Sequence, residues 1–167
     1  IDVVGRSGVP DETPDGFKIA VSGGELTVGQ GRMYVDGYVA ENHGTAPAFE
    51  PTLEEGYGTA ALPVKNQPYG GPVTVPAQVR SLVYLDVWRR EVTHLQAPDL
   101  IEPAVNVDST TRYQTAWQVR VLANIPPDIT CDTPLSDIPG WPTGNRSSSA
   151  RLTTTTGAVT TEPEPCL

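Results

Sequence analysis

The sequence is poor in basic residues and in long apolar runs, and each shortage argues against a class of protein. Eleven lysines and arginines stand against twenty aspartates and glutamates, and the formal net charge is -9. Nucleic-acid binding requires clustered basic side chains that neutralise phosphates, and anionic membranes attract the same side chains. No apolar run reaches the roughly 18 residues that indicate a membrane-spanning helix. We therefore expect neither a nucleic-acid partner nor insertion into a membrane.

Cysteine is also scarce. Only Cys131 and Cys166 are present, and neither belongs to a CxxC pair, so a zinc site is not expected. A disulfide between them would close a loop of about 36 residues and would stabilise by ~4 kcal/mol in the chain-entropy model. Two unrelated buried thiols are the alternative. We predict the disulfide, because the even count suits an extracellular module.

Catalytic signatures are missing as well. The chain contains no GxSxG, HExxH, Walker or GxGxxG motif. A metal site would need His43 and His94 to converge with carboxylates, which their spacing does not predict, and His94 is expected on a strand face. The paired carboxylates at residues 11–12 and 54–55 fall in predicted loops rather than across a cleft. We expect no catalytic, cofactor-binding or metal-binding residues, and no enzyme activity.

The chain does contain many turn-forming residues and two segments in which apolar and polar residues alternate. Its 16 glycines and 17 prolines break it into short segments. Two longer segments, residues 82–96 and 110–122, alternate apolar and polar side chains with the period of two that is typical of half-buried strands. In the second segment Tyr113, Trp117 and Val119 share one face. We expect the two segments to form the core sheet, with Trp117 and Val119 inside it.

The first of these segments carries two further predictions. Asp86 lies between apolar residues, and we expect it to form an ion pair within the sheet, with Arg90, Arg112 or Arg120 as its partner. Residues 88–90, Trp-Arg-Arg, would mark a bend that splits the segment into two strands. Both predictions concern the strand that we expect to organise the sheet.

The segment from residue 17 to residue 42 predicts an antiparallel meander. Its strongest signal is Asp36-Gly37 between two apolar arms, because a type I′ turn requires positive φ at both central residues. One long strand with a glycine bulge is the alternative. Residues 43–78 then form a long irregular connection. Its tyrosines, Tyr57 and Tyr69, either contact a ligand or pack on their own scaffold.

The chain changes character after residue 125. We predict a β-rich core domain over residues 1–125, and an extended Pro/Ser/Thr-rich segment over residues 126–167 that packs on the core or on a neighbouring subunit. Trp141 lies there in a proline-flanked loop and is a candidate for ligand stacking. The tripeptide that begins at Asn145 fits the N-glycosylation sequon. The predicted fold is all-β, an antiparallel β-sandwich or open barrel with long irregular loops.

Several segments together resemble one bacterial family. They are IDVVG (1–5), FKI (17–19), GGELTV (23–28), GRMYVDGYVAEN (31–42), VYLDVWRREVTHL (83–95), PDLIEPA (98–104), TRYQTAWQVRVL (111–122), CDT (131–133), PGWP (139–142) and PCL (165–167). The family is a domain of unknown function that is similar to N-terminal parts of phage tail, baseplate and tail-like fibre proteins. It has no established catalytic residues that the resemblance could carry over to this chain.

These observations lead to one expected function and one alternative. We expect a structural subunit or attachment module of an extracellular appendage, either a phage-tail-like particle or a filament. The polar, extended ends of the chain would add strands to neighbouring copies and produce a trimer or a filament. The alternative is a surface carbohydrate-binding module with Trp141, Tyr57 and Tyr69 as stacking faces. The start at Ile1 suggests a processed or partial product.

Overall fold

The computed structural model describes residues 7–22, 25–45, 60–73, 75–76, 79–108, 111–130, 133–144, 147–156 and 158–161. Its strands are β1 (Ser7–Gly8), β2 (Ile19–Ser22), β3 (Glu25–Val28), β4 (Gly31–Val35), β5 (Tyr38–Asn42), β6 (Leu62–Pro63), β7 (Ser81–Val92), β8 (Ile101–Glu102), β9 (Val107–Asp108), β10 (Arg112–Ala123), β11 (Ser147–Thr156) and β12 (Ala158–Thr161). The helical elements in these ranges are single 3₁₀ turns at Val64–Asn66, Pro98–Leu100 and Leu135–Asp137. The all-β prediction is confirmed.

The central sheet has the strand order β10-β7-β11-β12, and every neighbouring pair is antiparallel. β7 and β10 pair along their whole length, from Ser81 opposite Ala123 to Val92 opposite Arg112. The two alternating segments therefore form the core sheet as predicted. The predicted bend at residues 88–90 is wrong, because β10 continues opposite each of these residues and holds β7 extended.

The hairpin predicted at Asp36-Gly37 is confirmed. β4 and β5 pair on either side of it, and Asp36 and Gly37 have φ angles of 47° and 84°. The predicted meander over residues 17–42 is wrong in one respect, since β2-β3-β6 and β1-β4-β5 are separate sheets. The chain turns sharply between them at Gly31, with φ 134°, where a Cβ atom would lie 2.8 Å from the Thr13 Cβ.

The first face of β7 carries Val83, Leu85 and Val87 and lies against the main hydrophobic core. The two three-stranded sheets, β10, the turn before β2 and the 3₁₀ turn after β6 complete that core. Their residues in it are Phe17, Leu26, Val28, Met33, Val35, Ala40, Val64, Trp117 and Val119. The predicted burial of Trp117 and Val119 is confirmed, at 5% and 1% exposure. The Trp117 ring meets Phe17 edge-on at 5.0 Å, and its indole N–H donates to the Glu41 carbonyl at 2.7 Å.

The second face of β7 carries Leu82, Tyr84 and Asp86 and is buried too. A smaller core forms there from Leu82 together with Ile125, Ile129 and Ile138. The period-two pattern predicted a half-buried strand, but the chain that follows β10 folds back over this face. The division into two parts at residue 125 stays a prediction.

The C-terminal strand β11 pairs with β7 of the same chain, from Ser147 opposite Val87 to Thr153 opposite Ser81. β12 then forms a hairpin with β11. At the other end β1 pairs with β4. The expectation that the polar C-terminal sequence needs a neighbouring copy for its backbone is therefore wrong for β11, while residues 1–6 lie outside the described ranges.

Candidate functional site

β7 and β10 continue beyond the rest of the sheet as a two-stranded arm, which we define as residues 88–92 and 112–116. β11 begins at Ser147, opposite Val87, so no described strand other than β10 accompanies residues 88–92. The tip of the arm, residues 93–108, contains the 3₁₀ turn Pro98–Leu100 and the small β8–β9 hairpin. The arm thus continues the pairing of β7 with β10 beyond the point where β11 begins.

His94 lies in this tip, and its predicted position on a strand face is wrong. β7 ends at Val92, and a turn follows in which the backbone N–H groups of Gln96 and Ala97 both donate to the Thr93 carbonyl at 3.0 Å. The Gln96 side chain in turn accepts the Thr93 N–H at 3.1 Å. These local hydrogen bonds end the strand at Val92, two residues before His94.

The arm and its tip carry large apolar side chains that face solvent. Leu95, Val105 and Tyr113 are 83%, 61% and 75% exposed, and they are the exposed large hydrophobic residues of the described ranges. Tyr113 shares a face with Trp117 and Val119, but it lies past the end of the core. Exposed apolar side chains that gather in one region are typical of surfaces that contact another molecule.

Cationic and aromatic side chains pack together at the base of the arm. The Arg89 guanidinium lies 4.9 Å from the centre of the Tyr38 ring, and that of Arg90 lies 5.4 Å from the centre of the Tyr69 ring. Trp88 meets Tyr69 edge-on at 5.6 Å. Contacts of this kind contribute about 0.5–1 kcal/mol each at exposed sites, so they fasten the base of the arm to the rest of the molecule.

The outer edge of β10 is closed at one point by a side chain. The Gln67 amide accepts the Val119 N–H at 2.7 Å and donates to the Val119 carbonyl at 3.3 Å, as a neighbouring strand would. Along an antiparallel strand the N–H and C=O groups of successive residues point to opposite sides. Those of Tyr113 and Thr115 therefore also point away from β7, as those of Val119 do. No described strand lies beside them, so within the described residues this edge of the arm is open.

A polar cluster is buried beneath the second face of the sheet. Asp86 accepts a hydrogen bond from the Gln118 amide at 2.8 Å and one from the Ser148 hydroxyl at 3.4 Å. Arg120 provides the ion pair that the sequence predicted, with its Nη1 3.8 Å from Asp86 Oδ2. The cluster therefore joins β7, β10 and β11, which is a structural role.

Tyr84 lies on the same buried face as Asp86. Burial raises the pKa of its hydroxyl above the usual value, Arg120 acts against this rise, and Asp86 adds to it. Its ring also contacts Trp141 at 4.9 Å between centres. The predicted stacking residue Trp141 is therefore half-buried and packs on the sheet.

The other predicted site residues fall into two groups. Tyr69 is half-buried, with Arg90 over its ring and its hydroxyl donating to Gln114 Oε1 at 3.0 Å. The rest lie outside the described residues, so the disulfide and the glycosylation site stay predictions: Tyr57, Cys131, Asn145 and Cys166. In the ranges that the structure describes, no group of three His, Cys, Asp or Glu residues is placed to hold a metal ion. No helix there is long and apolar enough to cross a membrane.

Sequence reasoning missed Gln67 and the arm. Gln67 is one polar residue in an irregular connection, and nothing in its neighbourhood signals a contact with a strand that lies 52 positions further along the chain. The arm had a detectable signal, because Tyr113 continues the apolar face of β10 while Arg112 and Gln114 beside it are polar. When the alternating pattern of a strand continues past the residues that the core can cover, the end of that strand projects from the core.

Fold and surface together define an all-β domain whose longest strand pair projects from a packed core. The chain belongs to a family of unknown function, DUF6519, which it matches over residues 9–138. No curated protein matches the chain, and no solved structure does. The resemblance to a domain of unknown function is thereby confirmed. The comparisons lend no support to the likeness to phage-tail proteins, which stays a proposal.

Proposed function

We propose that this domain is a structural subunit or attachment module that assembles with copies of itself. The observation that carries the proposal is the arm, which combines exposed apolar side chains with an open strand edge. Leu95 and Val105 lie in its tip and Tyr113 on β10, and all three are mostly exposed. Burying them against another molecule would stabilise the contact by about 25 cal/mol for each Å² removed from water.

The described interior supports a structural role rather than a chemical one. Its buried acid, Asp86, is held by Gln118, Ser148 and Arg120, and these contacts join three strands of the central sheet. The resemblance to tail-like proteins supports placing the domain in an extracellular appendage, such as a filament or a phage-tail-like particle. This placement is the more detailed part of the proposal.

The alternative, a carbohydrate-binding module, has less support. Sugar binding by stacking needs an aromatic ring with an accessible face. The Tyr69 ring lies beneath Arg90 and beside Trp88, and Trp141 packs against Tyr84. Both described candidates therefore use their rings for contacts within the chain.

The proposal is tested by measuring the mass of the purified chain by sedimentation over a wide range of concentrations. We expect oligomers, and we expect the double variant Leu95→Ser/Val105→Ser to weaken them, because it removes apolar area from the tip. The matched control is Thr143→Ser with Thr130→Ser, two exposed positions away from the arm. A chain that stays monomeric at every concentration would overturn the proposal.

A further inference from the structure

We infer that the open edge of β10 is a contact between two copies of this chain, which pair antiparallel about a two-fold axis at Gln114. The inference rests on the proposed self-assembly and specifies the surface that performs it. The contact would join two central sheets into one continuous sheet. The occupant of the edge is thus a second copy, not a peptide from another protein.

The first step is the direction of the backbone groups. Gln67 binds both backbone groups of Val119, so these groups point away from β7. The pairing of β7 with β10 is continuous from residue 112 to residue 123, without a bulge. Every second residue therefore points outward as Val119 does, and these include Thr115 and Tyr113. The open edge presents backbone donors and acceptors at the spacing that another strand requires.

The second step is the register. A centre at Gln114 places Tyr113 of each copy opposite Thr115 of the other, an aromatic–β-branched pair of the kind that stabilises sheets. Each of these two pairs exchanges both of its backbone bonds, which gives about four bonds in total. Arg112 then faces Ala116 of the second copy. No like charges stand opposite each other.

The chain itself excludes moving the two-fold centre by two residues in either direction, which would shift the register by four. A centre at Arg112 would set two guanidinium groups directly opposite each other, which is destabilising. A centre at residue 116 would bring Tyr113 opposite Val119, whose outward groups already bind Gln67. Gln114 lies midway between these two limits. Centres at Tyr113 or Thr115 would set Gln114 opposite Arg112 or Ala116 instead, and the cross-linking measurement below distinguishes them from a centre at Gln114.

The third step is charge. The chain carries a formal net charge of -9, which opposes the approach of two copies. Residues 112–116 contain one arginine and no carboxylate, so this strand brings no pair of like negative charges into the contact. Gln114 itself is exposed, and its Oε1 accepts the Tyr69 hydroxyl. That bond holds the Gln114 side chain against Tyr69.

The test places charges on the proposed axis. Gln114→Lys and Gln114→Glu each set two like charges opposite each other, and we expect each variant alone to dimerise about fivefold more weakly than the native chain. An equal mixture of the two pairs lysine with glutamate, and we expect it to recover the native mass in sedimentation. Thr143→Lys and Thr143→Glu are the matched controls, at an exposed site off the arm. Alone and mixed, they should dimerise as strongly as the native chain.

A cross-linking measurement checks the register. Residues at the axis form a non-hydrogen-bonded pair with Cα atoms about 4.5 Å apart, which is within the range of a disulfide. Under mild oxidation Gln114→Cys should yield covalent dimers on a non-reducing gel. Arg112→Cys, which retains the same native cysteines but faces Ala116, should not.

The outcomes separate this inference from the proposed function. If the native chain assembles but the Gln114 variants match it, or their mixture recovers nothing, the β10 contact is wrong and self-assembly stands. If the native chain is always monomeric, self-assembly fails and this contact fails with it. If oligomers form and a peptide of residues 111–117 displaces no copy, pairing along this edge is likewise refuted.

Discussion

Trp117 shows how one residue can join a sheet edge to the core. Its ring packs edge-on against Phe17, and its N–H reaches the Glu41 carbonyl on β5. Tyr113, four positions earlier on the same face, is 75% exposed. The same strand therefore contains a buried and an exposed aromatic residue, and burial rather than residue type decides what each contributes.

We predict that Trp117→Ala lowers the free energy of unfolding by ~3–5 kcal/mol, because it removes a buried ring and leaves a cavity. Tyr113→Ala is the matched control and should change it by no more than about 0.5 kcal/mol. Urea denaturation in dilute solution measures both. Equal effects of the two substitutions would show that the assigned face of β10 is wrong.

Tyr84 makes the stability of the fold depend on alkaline pH. The unfolded chain ionises this hydroxyl near its ordinary value of 10.0, whereas burial raises the pKa in the folded chain. Between the two values the unfolded state binds fewer protons, so the free energy of unfolding falls as the pH rises. Below the ordinary value this contribution is fully retained.

Tyr84→Phe should therefore flatten the loss of stability above pH 10.0. Urea midpoints measured from neutral to alkaline pH, for the native chain and the variant, test this. The neutral-pH difference between the two serves as the reference, since neither side chain is charged there. Parallel curves for the two proteins would contradict the assignment.

At the scale of elements, Gln67 takes the place of a missing strand beside β10. It is buried, and it satisfies both outward backbone groups of Val119. A buried backbone group that loses its partner costs about 1–3 kcal/mol. The 3₁₀ turn Val64–Asn66 directly before Gln67 fixes where this side chain meets the strand.

We predict that Gln67→Ala lowers the free energy of unfolding by about 1–3 kcal/mol. The control is Asn66→Ala, which removes an exposed amide from the adjacent position and should be close to neutral. Amide exchange of Val119, followed by NMR, gives a local measurement and should accelerate in the Gln67 variant only. Unchanged protection of that amide would show that water replaces the side chain without cost.

Elements with local signals were predictable from the sequence. The Asp36-Gly37 turn and the alternation of β7 and β10 depend on neighbouring residues, and the structure contains all three. The burial of the second face of β7 was not predictable, because the residues that cover it, Ile129 and Ile138, follow the strand by dozens of positions. These apolar residues lie in a proline-rich segment without a regular period, so the sequence does not indicate which strand they cover.

The candidate site was less predictable than the fold. The sequence identified Tyr69 and Trp141 as candidate stacking residues. It did not show that the Tyr69 ring packs against Arg90 and the Trp141 ring against Tyr84. Exposure of Leu95 and Val105 depends on where the core ends, which is a property of the assembled sheets. Surface function in this chain is therefore determined by what the fold leaves uncovered.

At the scale of the whole molecule, one long strand pair serves two purposes. Inside the core it carries the apolar side chains of both layers, and beyond the core it becomes the arm. The formal net charge of the chain is -9. For the pairing of copies that we propose, repulsion between chains of this charge favours a contact without carboxylates, such as residues 112–116.

The pairing of β11 with β7 has a consequence for how the protein is made. Ser148 follows Asp86 by 62 residues, so the ribosome releases β7 and β10 well before the strand that closes their other side. In that interval the centre of the future sheet presents an uncovered edge to every other nascent chain nearby. If translation stalls before residue 147, this edge stays uncovered. Correct folding of the sheet therefore depends on the synthesis of β11.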